Sequence, residues 1–342
     1  MAVMTVSPRA RRSRSRISRM PLAGVAALGL LALSACGSGD DGGGGGGEGG
    51  GLDVVASFYP MEFLAERIGG EHVSVSTLTE PGVEPHDLDL SPRETARLSE
   101  ADLVVYLQGL QPAVDEAVEQ SGVEHVAEAT SFTTLETHGD EVDGEDHADE
   151  GHEEEGHAEE GDGHDHEHEG GDPHIWLDPV RYAEVAEGVG DALAEADPDH
   201  AADYARNTEQ LVGELQALDE EFAAGLQDAP SRTFITTHAA FGYLAERYEL
   251  HEEAITGIDP ESEPSAARMR DLQEIAREDG VTTVFFETLV SDETARTLAD
   301  DLGLETAVLD PVEGITDDSP GADYLEVMRA NLAALQQALG AR

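Results

Sequence analysis

Thr233-Phe234-Ile235-Thr236-Thr237-His238 is the stretch on which the fold turns. Its first five residues are all β-branched or aromatic, the side chains that favour a pleated backbone, and it stops at an imidazole. A helical pattern follows over 240–248. A short apolar strand leading into a helix is the unit of an α/β fold with parallel strands, and such folds place ligands just beyond the carboxyl ends of their strands.

The same alternation extends in both directions. Downstream, strands are expected at 253–256, 282–287 and 306–310, with helices at 265–278, 292–302 and about 322–339. Upstream, strands are expected at 52–58, 72–79, 102–108 and 124–129, with helices at 60–68, 92–101 and 112–120. Between the two sets, Leu211, Leu215, Leu218 and Phe222 recur at helical spacing in a stretch rich in Ala, Glu and Leu. The chain therefore reads as two α/β lobes, 52–197 and 229–342, each with a mainly parallel sheet flanked by helices. A long helix at 198–228 joins them, since a helix spans distance more stiffly than a Gly/Ser linker.

Composition narrows the function. Seventy-four acidic residues stand against 19 arginines, no lysine is present, and the formal net charge is −55. Such a surface repels phosphate, so nucleic acid is excluded as a partner, while cations are drawn in. Before the first lobe, six arginines (Arg9, Arg11, Arg12, Arg14, Arg16, Arg19) precede the apolar run 21–33, which is too short to span a membrane and suits a signal-peptide core. Leu33-Ser34-Ala35-Cys36 then resembles the lipobox of bacterial lipoproteins, in which the cysteine becomes the lipidated first residue. Residues 1–36 are read as that signal and 37–51 as a Gly-rich tether. Cys36 is the only cysteine, so no internal disulfide is available.

Residues 138–171 are a different material: seven histidines and sixteen Asp or Glu, with no Lys, Arg or aromatic residue. This insert cannot bury enough apolar surface to fold alone, and imidazoles among carboxylates suit weak capture of metal.

Four residues outside the insert stand at strand ends or the turns beside them. His86 lies in Glu84-Pro85-His86-Asp87, His174 in His174-Ile175-Trp176-Leu177-Asp178-Pro179, His238 closes its strand, and Asp310 closes Thr306-Ala307-Val308-Leu309-Asp310. Two from each lobe can meet in the cleft between them. Trp176, Phe241 and Tyr243 read as packing residues, and Asp178 as a carboxylate that holds backbone or a ligand imidazole.

From residue 52 onward the chain resembles the metal-binding solute receptors of bacterial ABC importers, a zinc/manganese family that includes streptococcal adhesin-like lipoproteins. The resemblance rests on Pro85-His86-Asp87, the His174–Pro179 stretch, Thr237-His238 with Phe241-Gly242-Tyr243, Glu263-Pro264-Ser265, and Phe286-Glu287-Thr288 before Asp310. It implies metal held in the inter-lobe cleft by His86, His174, His238 and Asp310, with Glu84, Glu287 or a water as the substitutes for Asp310 at the fourth position. It further implies a monomeric receptor, lipid-anchored through Cys36 on the outer face of the cytoplasmic membrane, that feeds a membrane permease with its cytoplasmic ATPase. A histidine in the third position and the histidine-rich insert point to the zinc type, since oxygen donors would favour manganese. A manganese-type receptor and a metal-dependent adhesin stay open as alternatives. A secreted zinc hydrolase is the remaining rival, but the chain lacks a His-Glu-x-x-His pair and shows no general base beside the candidate ligands.

Overall fold

A computed structural model of the chain describes residues 51–139 and 171–341. Strands β1 (Leu52–Ala56), β2 (Val73–Thr77), β3 (Leu103–Tyr106) and β4 (His125–Glu128) form one all-parallel sheet in the order β2-β1-β3-β4. A second parallel sheet in the order β6-β5-β7-β8 is built from β5 (Thr233–Thr236), β6 (His251–Ala254), β7 (Thr283–Phe286) and β8 (Glu305–Val308). The second lobe thus repeats the strand order of the first.

Side chains alternate across each strand and both faces are covered, as parallel sheets require. Val54 and Ala56 join the large core that runs between the lobes, whereas Val55 joins Leu98, Val104 and Val118 on the outer face of the first sheet. In the second sheet Phe234 and Phe285 point into the shared core, and Ile235 and Val284 pack outward with Leu272 and Leu298.

Helices α1 (Tyr59–Gly69), α2 (Pro92–Glu100) and α3 (Pro112–Ser121) connect the first sheet. Ser91 and Glu94 close a capping box on α2, which satisfies two backbone donors at its start. Helix α4 (Pro179–Ala196) was not foreseen in the sequence. It begins with Asp178 as N-cap and Pro179 at the first turn, a standard start signal, but Gly188 and Gly190 weaken its interior. Those glycines serve close approach: a Cβ at Gly188 would collide with the Phe132 ring, and one at Gly190 with Thr208 of the next helix. That next helix, α5 (Ala201–Leu226), packs on α1 and α4 of the first lobe and on α9 (Tyr324–Leu339) of the second.

The second lobe is completed by α6 (Gly242–Arg247), α7 (Ala266–Glu278), α8 (Glu293–Leu302) and α9 (Tyr324–Leu339). Strand β6 starts two residues earlier than its apolar pattern suggests. His251 and Glu252 pair with Thr233 and Phe234, because an edge strand need be apolar only where a neighbour covers it. In both lobes the loops after the strands open toward the same cleft.

Candidate metal centre

Each histidine is oriented by a carboxylate. Asp172, wholly buried, accepts from the backbone N–H of His174 at 2.9 Å and faces its Nδ1 at 2.8 Å through one oxygen. Its other oxygen lies 3.0 Å from Nδ1 of His138. Burial opposes ionisation of Asp172, but the hydrogen bonds from His138 and His174 outweigh it and hold the carboxyl below its usual range. Glu287, at the end of β7, takes His238 Nδ1 at 2.7 Å and also accepts from the Thr237 hydroxyl. His86 is set by Glu84, which accepts from the backbone N–H of His86 at 3.0 Å and of Asp87 at 3.3 Å. With Nδ1 of His174 and of His238 given to a carboxylate, Nε2 is left to present a lone pair to a metal.

Those Nε2 atoms converge on Glu313, five residues beyond the end of β8. Its Oε1 lies 3.3 Å from His86 Nε2, 3.4 Å from His174 Nε2 and 3.6 Å from His238 Nε2, and the Nε2 atoms of His174 and His238 are 3.3 Å apart. A tetrahedron with metal–ligand bonds of about 2.0–2.1 Å has edges of roughly 3.3 Å, and these four separations are close to that length. The side chains of His174 and His238 are fully buried, Glu313 is 1% and His86 9% exposed, so the group is open only on the His86 side. Oε2 of Glu313 is buried and finds no hydrogen-bond partner among the described residues, as expected of a carboxylate held ready for a cation. Burial resists charge on Glu313, but His174, His238 and His86 override it and hold its carboxyl well below the usual range. Burial likewise pushes the imidazoles down, and the facing carboxylates more than compensate: His174 is raised by Asp172 and Glu313, and His238 well raised by Glu287 and Glu313.

Residues 54–338 match the profile of a family described as the periplasmic zinc-uptake complex component A. The chain belongs to this family. Among component A relatives, the zinc-binding lipoprotein AdcA of Streptococcus pneumoniae serotype 4 is 34% identical over 293 residues, 84% of this chain and 55% of that protein. The chain thus spans about half the length of the AdcA proteins it matches. The high-affinity zinc uptake protein ZnuA of Bacillus subtilis is 34% identical over 315 residues, 90% of this chain and 94% of that protein. In structure, the Zn(II)-bound ZnuA-like domain of S. pneumoniae AdcA superposes with a TM-score of 0.68 at 31% identity, covering 85% of this chain and 99% of that domain. The two-lobed α/β fold expected from the sequence is the fold that the chain adopts.

The structure brings His86, His174 and His238 together but does not bring Asp310 with them. Asp310 is spent on its own turn: Oδ2 accepts from the Thr288 hydroxyl at 3.0 Å and Oδ1 from the Val312 N–H at 2.8 Å. Burial pushes its pKa up to about 6. Glu313, three residues later, occupies the fourth corner that the sequence reading gave to Asp310. Of the two substitutes, Glu84 lies beside His86, with Oε1 4.0 Å from Nε2, and Glu287 is on the far side of the His238 ring. Asp178 caps α4 and receives Arg247 of the second lobe at 2.6–3.0 Å. Phe241 and Tyr243 are buried, and the Tyr243 hydroxyl donates to the Asp172 carbonyl at 2.8 Å.

A second group of side chains gathers at the root of the insert, where His138 Nε2 lies 3.3 Å from Glu246 and Glu136 completes the set. Glu136 is already engaged by Arg181. Residues 140–170, with the other six histidines of the insert, lie outside the described residues, as do the signal segment and all of the tether but Gly51.

Proposed function

We propose that the chain captures Zn2+ outside the cytoplasm and delivers it to the permease of an ABC importer driven by a cytoplasmic ATPase. The observation that carries this reading is the convergence of three Nε2 atoms and one carboxylate oxygen at separations that suit zinc. Three imidazoles favour zinc over manganese, which prefers oxygen, and the relatives' names support the same ion. Glu313 in the group, with Asp172 and Glu287 behind His174 and His238, offsets the dication, so capture requires no further counter-ion. Four protein donors, three of them buried, leave no corner for a reacting water, which speaks for a receptor against a hydrolase.

The ligands come from both lobes, so the ion is enclosed by elements that share one continuous core. Purified protein should hold one tight equivalent of zinc that manganese displaces poorly. Deleting 140–170 should remove weak equivalents only. Loss of the tight equivalent on that deletion, measured calorimetrically with the three cleft histidines intact, would assign the site to the insert instead.

The receptor is held as a monomer at the outer face of the cytoplasmic membrane by a lipid on Cys36, a position supported by the lipobox-like Leu33-Ser34-Ala35-Cys36. No helix among the described residues is long and apolar enough to cross a membrane. Cys36→Ala should shift the protein from the membrane to the soluble extracytoplasmic fraction. A wild-type protein without an acyl group would remove the anchor from this account.

A further inference from the structure

After β8 the chain runs Leu309-Asp310-Pro311-Val312-Glu313-Gly314, and Val312 sits at a φ of +60°. A β-branched side chain rarely adopts that left-handed conformation, which persists only where the surroundings impose it. Three sets of contacts do so. Asp310 Oδ1 accepts from the Val312 N–H at 2.8 Å. Asn331 brackets Asp310, accepting from its N–H at 2.9 Å and donating to its carbonyl at 2.7 Å. Both come from the lobe that carries the turn. The third comes from the other lobe: the Trp176 indole N–H donates to the Pro311 carbonyl at 2.7 Å.

Trp176 is itself tightly set. It is wholly buried two residues after His174, with ring centroids 5.2 Å from His174 and 5.0 Å from Phe58, edge-on to the latter. Its carbonyl accepts from the Tyr324 hydroxyl at 2.6 Å. One indole therefore ties the segment bearing His174 to the turn bearing Glu313.

We propose that Trp176 is a positioning residue for zinc capture: by holding the Pro311 carbonyl, its N–H keeps the strained turn closed and aims the Glu313 carboxylate at the three histidines. This rests on the reading of Glu313 as a zinc ligand. Affinity then depends on one N–H group and not only on the bulk of the ring, since groups that orient a ligand typically contribute 10–100-fold in metal affinity.

Trp176→Phe tests the contact. Because the chain has one tryptophan, replacing it biosynthetically with 3-benzothienylalanine changes only N–H to sulfur and keeps the shape, should the Phe variant fold poorly. Zinc affinity is read by chelator competition and coordination by the visible spectrum of the Co2+ form. Both replacements should raise the zinc Kd about tenfold and move the cobalt spectrum toward that of Glu313→Gln. In a Val312→Gly background, where the strain is gone, the Trp176→Phe loss should shrink to less than about threefold. A purely packing role would lower Tm and leave the cobalt spectrum and Kd as they are, and that result overturns the proposal. If Glu313→Gln weakens zinc while the tryptophan replacements do not, only this inference fails. If Glu313→Gln itself binds zinc normally, the ligand assignment fails with it.

Discussion

His238→Ala, like His86→Ala and His174→Ala, should raise the zinc Kd by about two to three orders of magnitude. Structural zinc sites supply roughly 10–16 kcal/mol, so one donor in four accounts for about 3–4 kcal/mol, and each 1.4 kcal/mol is tenfold. The effect should be graded. Glu313→Gln keeps a carbonyl oxygen but loses the charge, and Asp172→Asn keeps His174 in place but weakens its orientation; each should cost about 10–100-fold. Asp310→Asn should cost less than any of them, since its side chain serves the turn and not the metal corner. Chelator competition on the purified variants reads all of these directly. An Asp310→Asn defect as large as that of a histidine variant, beside a silent Glu313→Gln, would return the fourth corner to Asp310.

Acid should strip the metal steeply. Zinc needs unprotonated Nε2 atoms, and the carboxylates around His174 and His238 raise both imidazoles above their usual value of about 6.5. Proton competition therefore begins above pH ~6.5, and because more than one imidazole titrates, affinity should fall by more than a decade per pH unit as pH drops below it. The metal-free protein behaves in the opposite sense. A histidine with a raised folded pKa contributes stability that is complete below about pH 6.5 and is lost as pH rises through the folded value. Glu313, with a depressed pKa, contributes stability present above about pH 4.3 and lost as pH falls through its folded value. Metal-free protein should accordingly be most stable at mildly acid pH, and the Tm gain from zinc should be large at pH 8 and shrink toward pH 5. A zinc-induced gain that stays constant over that range would contradict the assignment of neutral imidazoles.

Much of this was legible in the sequence because strands buried on both faces must be written in β-branched and aromatic residues. Val54, Val55, Val104, Val105, Ile235 and Val284 are such positions, and His238 stands just past one of those runs, whereas His86 and His174 were legible from the motifs around them, Pro85-His86-Asp87 and His174–Pro179. Glu313 did not, for two reasons. In a chain with 74 acidic residues one more Glu beside a glycine looks like surface. It sits, moreover, on a turn with a positive φ at Val312 and a hydrogen bond from Trp176 to the Pro311 carbonyl, 135 residues apart in the chain, neither of which leaves a local pattern. Asp310 was the natural reading because it closes an apolar run, and the structure uses it for the turn instead. Helix α4 escaped because its two glycines, which lower helix propensity, answer to Phe132 and Thr208 across the packing and not to anything in its own sequence.

The insert leaves and rejoins the folded protein at almost the same point. The Asp172 N–H donates to the Glu136 carbonyl at 2.8 Å, and His138 shares with ligand His174 the carboxylate of Asp172. Anything carried on residues 140–170 is thus covalently confined to within roughly 50–60 Å of the cleft mouth, from chain length alone. Its six imidazoles are present there at an effective concentration on the order of millimolar, whatever the dilution outside. For the capture proposed above, an ion held on the insert is within reach of the opening beside His86 without leaving the molecule, so loading at low zinc should slow when residues 140–170 are removed.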